Sequence, residues 1–242
     1  MITGIVVALP EELVTLTSKR IDKGRCVFIA DKLLVAYSGA GPDNAKAAAE
    51  LLASRGTTQL ISWGCAAALD EALNPGDLTL ADALIDADNN RIDIDSDWQR
   101  YAKNSLSKFL TVHTGCLAES KSIVSSSKDK KQLQSITGAI ALDMESIAIA
   151  KVAKQYGLPF LAIRAVADPV NMNLPRAINH SLNEQGDIVL SKLLLFIALH
   201  PAEIPGLIQL GLHFKAAKNT LKLVAEHLDS MTCFNHSSTL TL

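Results

Sequence analysis

Continuous apolar runs alternate along this chain with segments of helical period. GIVVAL (4–9) reads as a buried strand, and VFIADKLLVAYSG (27–39) as two strands joined at Asp31 and Lys32. NAKAAAELLASRG (44–56) is an Ala-rich helical pattern closed by Gly56, and TQLISWGCAAAL (58–69) is a strand running into a loop of small residues. DLTLADALI (77–85) predicts another strand, and the polar, Asp-rich stretch 86–110 a loop with a short helix. LDMESIAIAKVAKQYG (142–157) predicts a helix ended by Gly157, followed by a strand, LPFLAIRAVAD (158–168), entered through Pro159. Helical stretches occupy 175–200 and 202–229, with C-terminal helices over about 178–229 and a loose tail over 232–242. Apolar strands alternating with helices predict an α/β fold: a three-layer, mixed, mostly parallel twisted sheet with helices on both faces. No repeat or linker composition divides 1–242, so it reads as a single domain.

Ligands of such sheets sit at the carboxyl ends of the strands, and the unusual residues fall there. Glu12 follows the first strand, SGAGPDN (38–44) another, WGCAAA (63–68) the next, and Asp168 the strand after Pro159. Asp143, ahead of a helical pattern, suits an N-terminal cap. Glu145 shares a helical face with Ala148, Ile149 and Val152, which puts a carboxylate on an apolar stripe. Arg164 lies inside an apolar strand and wants a carboxylate, with Glu145 or Glu12 as candidates. Each feature has a plainer reading: a tight turn for SGAG, a solvated first-turn residue for Glu12, a turn start for Asp168 before Pro169. The residues alone leave these alternatives open.

Composition narrows the classes. Of the 242 residues 48% are hydrophobic, enough for a sizeable core, and the net charge of −2 offers no electrostatic footprint for nucleic acid. No apolar run reaches the roughly 18 residues of a membrane span, and no basic leader precedes the first strand. Cys26, Cys65, Cys116 and Cys233 have no C-x-x-C spacing and read as reduced thiols of a cytoplasmic protein. The histidines show no ligand spacing and SGAG lacks the third glycine of a dinucleotide fingerprint; no metal or redox cofactor is required.

The stretches GIVVALPEEL, SGAGPDNAKAAAELL, SWGCAAALDEALNPGDL and ALDMESIAIAKVAKQYGLPFLAIRAVAD fall in an order that resembles the nucleoside phosphorylase family, which includes the methylthioadenosine/S-adenosylhomocysteine nucleosidases. DMES-x-A followed by R-A-x-x-D is the most specific part. SWGCAAALD, ADPVNMNLPRAI and HPAEIPGLIQLGLHFKAAKNTL make the chain similar to the hopanoid-associated phosphorylase branch. That branch is implied to release adenine from adenosylhopane, a lipid-linked nucleoside.

The resemblance implies roles for particular residues. Glu145 would grip the ribose hydroxyls, with Met144 against the sugar. Asp168 would protonate N7 of the purine, and its being Asp rather than Asn fits a 6-aminopurine. Glu12 would position an attacking water. Ser38, Gly39 and Gly41 would face the nucleophile, water or inorganic phosphate as co-substrate, and Ile123 and Val124 would meet the base. Where the family usually has Gly-Ser/Thr-Ala-Gly-Gly, this chain has Gly64-Cys65-Ala66-Ala67-Ala68, a thiol in place of the hydroxyl. Arg20 and Arg25 are the candidate phosphate-binding arginines. The resemblance also implies a homo-oligomer, dimer or higher. Methylthioadenosine/S-adenosylhomocysteine cleavage and nucleoside binding without turnover are the alternatives. In the C-terminal third, Leu193, Leu194, Phe196, Ile204, Leu207, Ile208 and Phe214 are more apolar than solvated helices require. They suit core packing or a subunit interface, or else an apolar groove or peripheral contact with the inner membrane.

Overall fold

A computed structural model describes residues 1–94, 96–181 and 190–234. The first half builds one flank of a sheet. β1 (Thr3–Val7) pairs in parallel with both β3 (Leu33–Tyr37) and β4 (Gln59–Ala68), and β2 (Arg25–Ala30) runs antiparallel to β3. α1 (Pro10–Leu13) follows β1, and α2 (Pro42–Ser54) crosses from β3 to β4. Gly4 permits this crossover to pack closely, because a Cβ there would lie 2.8 Å from Leu60 and 3.2 Å from Leu52.

Beyond β4 the sheet closes on itself. β9 (Phe160–Asp168) pairs with β4 on one side and β5 (Leu78–Ile85) on the other. β5 pairs with β7 (Val112–Glu119), β7 with β8 (Ala141–Asp143), and β8 returns to β4. The order β4–β9–β5–β7–β8 is therefore a ring, with β6 (Arg91–Asp93) added outside β5. Among the described residues, five of the nine strand pairings are parallel. Helices cover both sides, so the mixed α/β fold is the one the pattern predicts, with closure as an added feature.

Several boundaries differ from the sequence pattern. WGCAAA is strand throughout, because Ala67 and Ala68 pair with β8 and leave no loop before Leu69. α5 spans Ser146–Gln155, and the expected first turn over 142–145 is instead the end of β8 and the bend after it. The polar stretch 86–110 holds β6 and α3 (Ser96–Leu106), whose Trp98 is buried and donates its indole N–H to Met231 O at 2.9 Å. α4 (Ser127–Thr137) follows β7, and α6 (Arg176–Ser181) follows β9. α7 (Leu190–Leu199), a 3-10 turn (Pro201–Glu203), α8 (Ile204–Ala225) and α9 (Leu228–Thr232) complete the described chain. The central part of the helix expected over 175–200 lies outside the described residues. Thr232 is not loose: it ends α9, and its carbonyl accepts a bond from Gln59 Nε2 at 3.1 Å. The rest of the expected tail, 235–242, also lies outside them. No single described helix is long and apolar enough to cross a membrane.

Leu52 is the point where α2 meets the sheet, and it is fully buried. Leu52→Ala should destabilise the fold by about 2–5 kcal/mol, the scale for truncating a buried leucine. The denaturation midpoint in urea checks it.

Candidate active site

The centre of the candidate site is a buried cation. Every residue of β9 is buried, and Arg164 lies in its middle, opposite Gly64 of β4 and Thr79 of β5. Its ion-pair partner is Asp143 at the end of β8, not Glu145 or Glu12. The guanidinium reaches Asp143 Oδ2 at 2.5 Å through both Nε and Nη2, and Nη2 also donates to Ser62 Oγ at 2.6 Å. Ser146 joins this network, donating its hydroxyl to Asp143 Oδ2 at 2.5 Å and its N–H to Oδ1 at 3.2 Å. Asp143 thus takes one N–H at the start of α5, as a cap does, while its main partner is Arg164. Burial opposes the charge on Arg164, but Asp143, Glu12 and Glu145 outweigh it and raise the pKa above the ordinary value.

Glu12 is not a solvated helix residue; it is 3% exposed. Its Oε1 accepts the Cys65 N–H at 2.7 Å, and its Oε2 accepts the Leu9 N–H at 3.1 Å. The opposing strand residue must be glycine, because a Cβ on Gly64 would lie 2.6 Å from Glu12 Oε1. Burial pushes the Glu12 carboxyl from 4.5 up to about 7, with Arg164 and the two N–H donors pulling the other way and Glu145 adding to the rise.

Glu145 sits just ahead of α5 and so lies on no helical stripe; its carbonyl closes the first turn by accepting from Ile149 N at 3.2 Å. Its half-buried side chain turns to the loop after β3, where Oε1 accepts the Gly41 N–H at 2.9 Å. Gly41, just ahead of α2, holds φ +97°, a backbone region that side chains rarely adopt. Burial first and the Asp143 charge second raise the Glu145 pKa, against Arg164 and the N–H groups of Gly41 and Met144.

Asp168 closes β9 beside Ala67, two residues along β4 from the Cys65 N–H that holds Glu12. Its partner was missed by sequence reasoning. Lys130 of α4 is fully buried and brings Nζ to 2.6 Å from Asp168 Oδ1, an ion contact whose angle lies outside the hydrogen-bonding range. Lys130 also donates to Met172 O at 3.0 Å and Pro169 O at 3.1 Å. Burial raises the Asp168 pKa, opposed by Lys130 and more weakly by His213 of α8. Its plain turn reading fails on this burial and this partner.

The other candidates divide. Met144 is half-buried beside Glu145, and Ala66 is buried in the core. Cys65 is half-buried; burial, then the nearby Glu12 carboxylate, raises its thiol pKa well above 9.0, so it is no ready thiolate. Ser38 is buried with its hydroxyl 2.8 Å from Gly39 O and 3.1 Å from Val7 O, so it serves the loop backbone. Gly39, at φ +82°, is covered by Lys23, whose Cε would lie 2.0 Å from an added Cβ. The basic residue across this loop is therefore Lys23, while Arg20 and Arg25 are exposed on the connection between β1 and β2 and at its end. Ile123 and Val124 lie on the loop after β7; Ile123 is exposed and Val124 packs on a small cluster with Leu69 and Leu142. Among the described residues no group of three His, Cys, Asp or Glu side chains could hold a metal.

Residues 3–192 match the family model of the phosphorylase superfamily. The 5′-methylthioadenosine/S-adenosylhomocysteine nucleosidase of Staphylococcus aureus is 26% identical over 197 residues, covering 69% of this chain and 86% of the relative. A Helicobacter pylori nucleosidase mutant with 5′-methylthioadenosine in its active site is similar in fold, with a TM-score of 0.71 at 18% identity over 96% of this chain and 97% of that one. Helicobacter pylori futalosine hydrolase gives a TM-score of 0.71 at 18% identity over 95% of this chain and 96% of that one. The Neisseria meningitidis nucleosidase in complex with methylthio-immucillin-A gives 0.70 at 22% identity over 94% and 98%.

A carboxyl raised on folding from 4.5 to about 7 contributes stability that is whole below pH 4.5 and lost as pH rises through 7. Glu12→Gln removes that dependence. The stability of the variant relative to wild type should therefore grow by about 2–3 kcal/mol from pH 5 to pH 8. Denaturant titrations at the two pH values measure it, and a constant difference would contradict the assignment.

Proposed function

This chain belongs to the phosphorylase superfamily, and from that premise we propose that it hydrolyses the N-glycosidic bond of an adenine nucleoside. The observation that carries the reading is Glu12, a buried carboxyl near neutral pKa, opposite a glycine and within the charge fields of Glu145 and Arg164. A base poised near pH 7 is suited to take a proton from water. In this reading water attacks the anomeric carbon and gives its proton to Glu12. The electrons of the C–N bond pass to the purine, which takes a proton at N7 from Asp168. Glu145 holds the ribose hydroxyls and its charge favours the cationic sugar. Met144 lies against the sugar, and the backbone of Ile123 and Val124 meets the base. The reading treats the chain as one catalytic domain, since the ring of strands and its flank position all three acids, and takes the homo-oligomer from the family resemblance alone.

Lys23 across Gly39 favours a second reading, in which inorganic phosphate replaces water at the loop Ser38–Gly41. One assay separates the two. Adenine release from adenosine and its 5′-substituted analogues should run at full rate in phosphate-free buffer, and Asp168→Asn should lower it by about 10²-fold or more. A requirement for phosphate makes the enzyme a phosphorylase. Near-wild-type turnover in folded Asp168→Asn removes Asp168 from the acid role, and no release from any analogue leaves a binding protein.

The 5′ group of the substrate is proposed to be large and apolar, as in the lipid-linked adenosine that the hopanoid resemblance implies. α8 supports this. It packs on β9, and its Lys218 and His213 lie close enough to act on Cys65 and Asp168. The same helix and α7 expose Leu194, Leu195, Leu199, Ile208 and Leu212, with Leu199 69% exposed. Of the other apolar candidates, Ile204 is exposed, Leu193 and Leu207 are half-buried, Phe196 stacks on His180 and His200, and Phe214 packs against the core. The exposed set suits a membrane surface that supplies the substrate. The protein should sediment with anionic-lipid vesicles, and Leu199→Glu with Ile208→Glu should release it. It should also cleave adenosines with long apolar 5′ groups faster than methylthioadenosine. Preference for methylthioadenosine makes it a nucleosidase of that class. Loss of dimerisation in the double variant, without vesicle binding in wild type, makes the face a subunit contact.

A further inference from the structure

We infer that Lys130 is a positioning residue for the acid: its ammonium decides which oxygen of Asp168 carries the proton. The inference rests on the proposed role of Asp168.

Lys128 and Lys131, its neighbours on α4, are exposed, and Lys131 pairs at the surface with Glu71 at 2.7 Å. Lys130 alone turns inward and is 0% exposed. A lysine seldom enters a protein interior unless it is paired there. Its three N–H groups have three oxygens within reach: Asp168 Oδ1 at 2.6 Å, Met172 O at 3.0 Å and Pro169 O at 3.1 Å. The ammonium therefore ties the last residue of β9 to the turn that follows it. Oδ1 is shut from solvent and faced by the ammonium, so the exposure left to the Asp168 side chain lies elsewhere on it.

The consequence is chemical. A carboxylic acid carries its proton on one oxygen and presents the other as a bare acceptor. A proton on Oδ1 would face the positive charge of Lys130, so the neutral acid holds its proton on Oδ2. That oxygen is left free to meet N7 of the purine. When the C–N bond breaks, the Oδ2–H bond breaks with it, the N7–H bond forms, and Asp168 is left ionised beside the ammonium, which stabilises it. Without Lys130 the carboxyl is free to rotate and to protonate on either oxygen, and delivery to N7 loses its direction.

Adenosine and 7-methyladenosine distinguish this role from simple support of the fold. The base of 7-methyladenosine already carries the charge that a proton on N7 would supply, so it leaves without an acid. Lys130→Met should lower kcat on adenosine by about 10²-fold, the scale for loss of general acid catalysis, with KM little changed. On 7-methyladenosine it should stay within about threefold of wild type. Equal losses on both substrates, or no loss on adenosine, overturn the inference. If Lys130→Met does not fold, the variant carrying both Lys130→Met and Asp168→Asn buries no charge and is compared with Asp168→Asn alone. Equal rates on both substrates support the inference, and a slower double variant on 7-methyladenosine overturns it. Wild type that releases no purine base from either substrate or from any 5′-substituted adenosine refutes the hydrolytic reading, and this inference with it. Wild type that is active while Lys130→Met loses both substrates equally refutes this inference alone.

Discussion

The buried guanidinium of Arg164 is the constraint on which the site depends. A cation inside a strand that is buried along its whole length needs an anion in contact, and Asp143 supplies it at 2.5 Å from the end of β8. Leaving such a pair with one partner costs about 3–5 kcal/mol. Asp143 is thereby committed, and Glu12 and Glu145 receive only the field of Arg164 rather than its contact. Desolvation then wins at Glu12 and leaves its carboxyl near neutrality. One cation among three acids thus yields one structural carboxylate and two with raised pKa.

Much of this was legible in the chain, for reasons that can be traced. The apolar runs of β1, β3, β4 and β9 carry the signal of strands covered on both faces, and α2 shows its period and its closing Gly56. Glu12 and Asp168 are legible because acids at strand ends are where such sheets bind ligands, while Glu145 is legible only as a carboxylate on an apolar helical stripe, a stripe that it lies ahead of in the structure. The pattern over 142–157 begins its helix four residues before α5 does, because a short apolar run such as Ala141–Leu142 suits strand and helix equally. Its pairing with β4 and β7, which no local pattern reports, decides for the strand.

Lys130 and the partner of Arg164 show a different limit. Lys130 sits in SSSKDKKQLQ, a run that reads as a solvated helix face, and only the tertiary fold turns one of its four lysine and aspartate side chains inward. Asp143 and Glu145 stand two residues apart, closer than any sequence argument about Arg164 can resolve. Ring closure was likewise invisible: β5 runs parallel to β7 but antiparallel to β9, and that reversal depends on how the chain crosses, not on which residues are apolar.

The closed ring β4–β9–β5–β7–β8 bears on how the molecule comes apart. An open sheet can shed its outermost strand and keep the rest, and its local openings are cheap. These five strands each have a neighbour on both sides, so none can detach without breaking two ladders. Arg164, Asp143 and Asp168 all ride on ring strands, while Glu12 is tied to one through the Cys65 N–H. Partial unfolding is thereby directed to the periphery, to β2, β6 and the C-terminal helices. Arg164 and Asp143 therefore stay paired as long as the ring holds, whereas Lys130, on α4 outside the ring, is the one buried charge among the described residues whose pairing with a ring strand can be lost first.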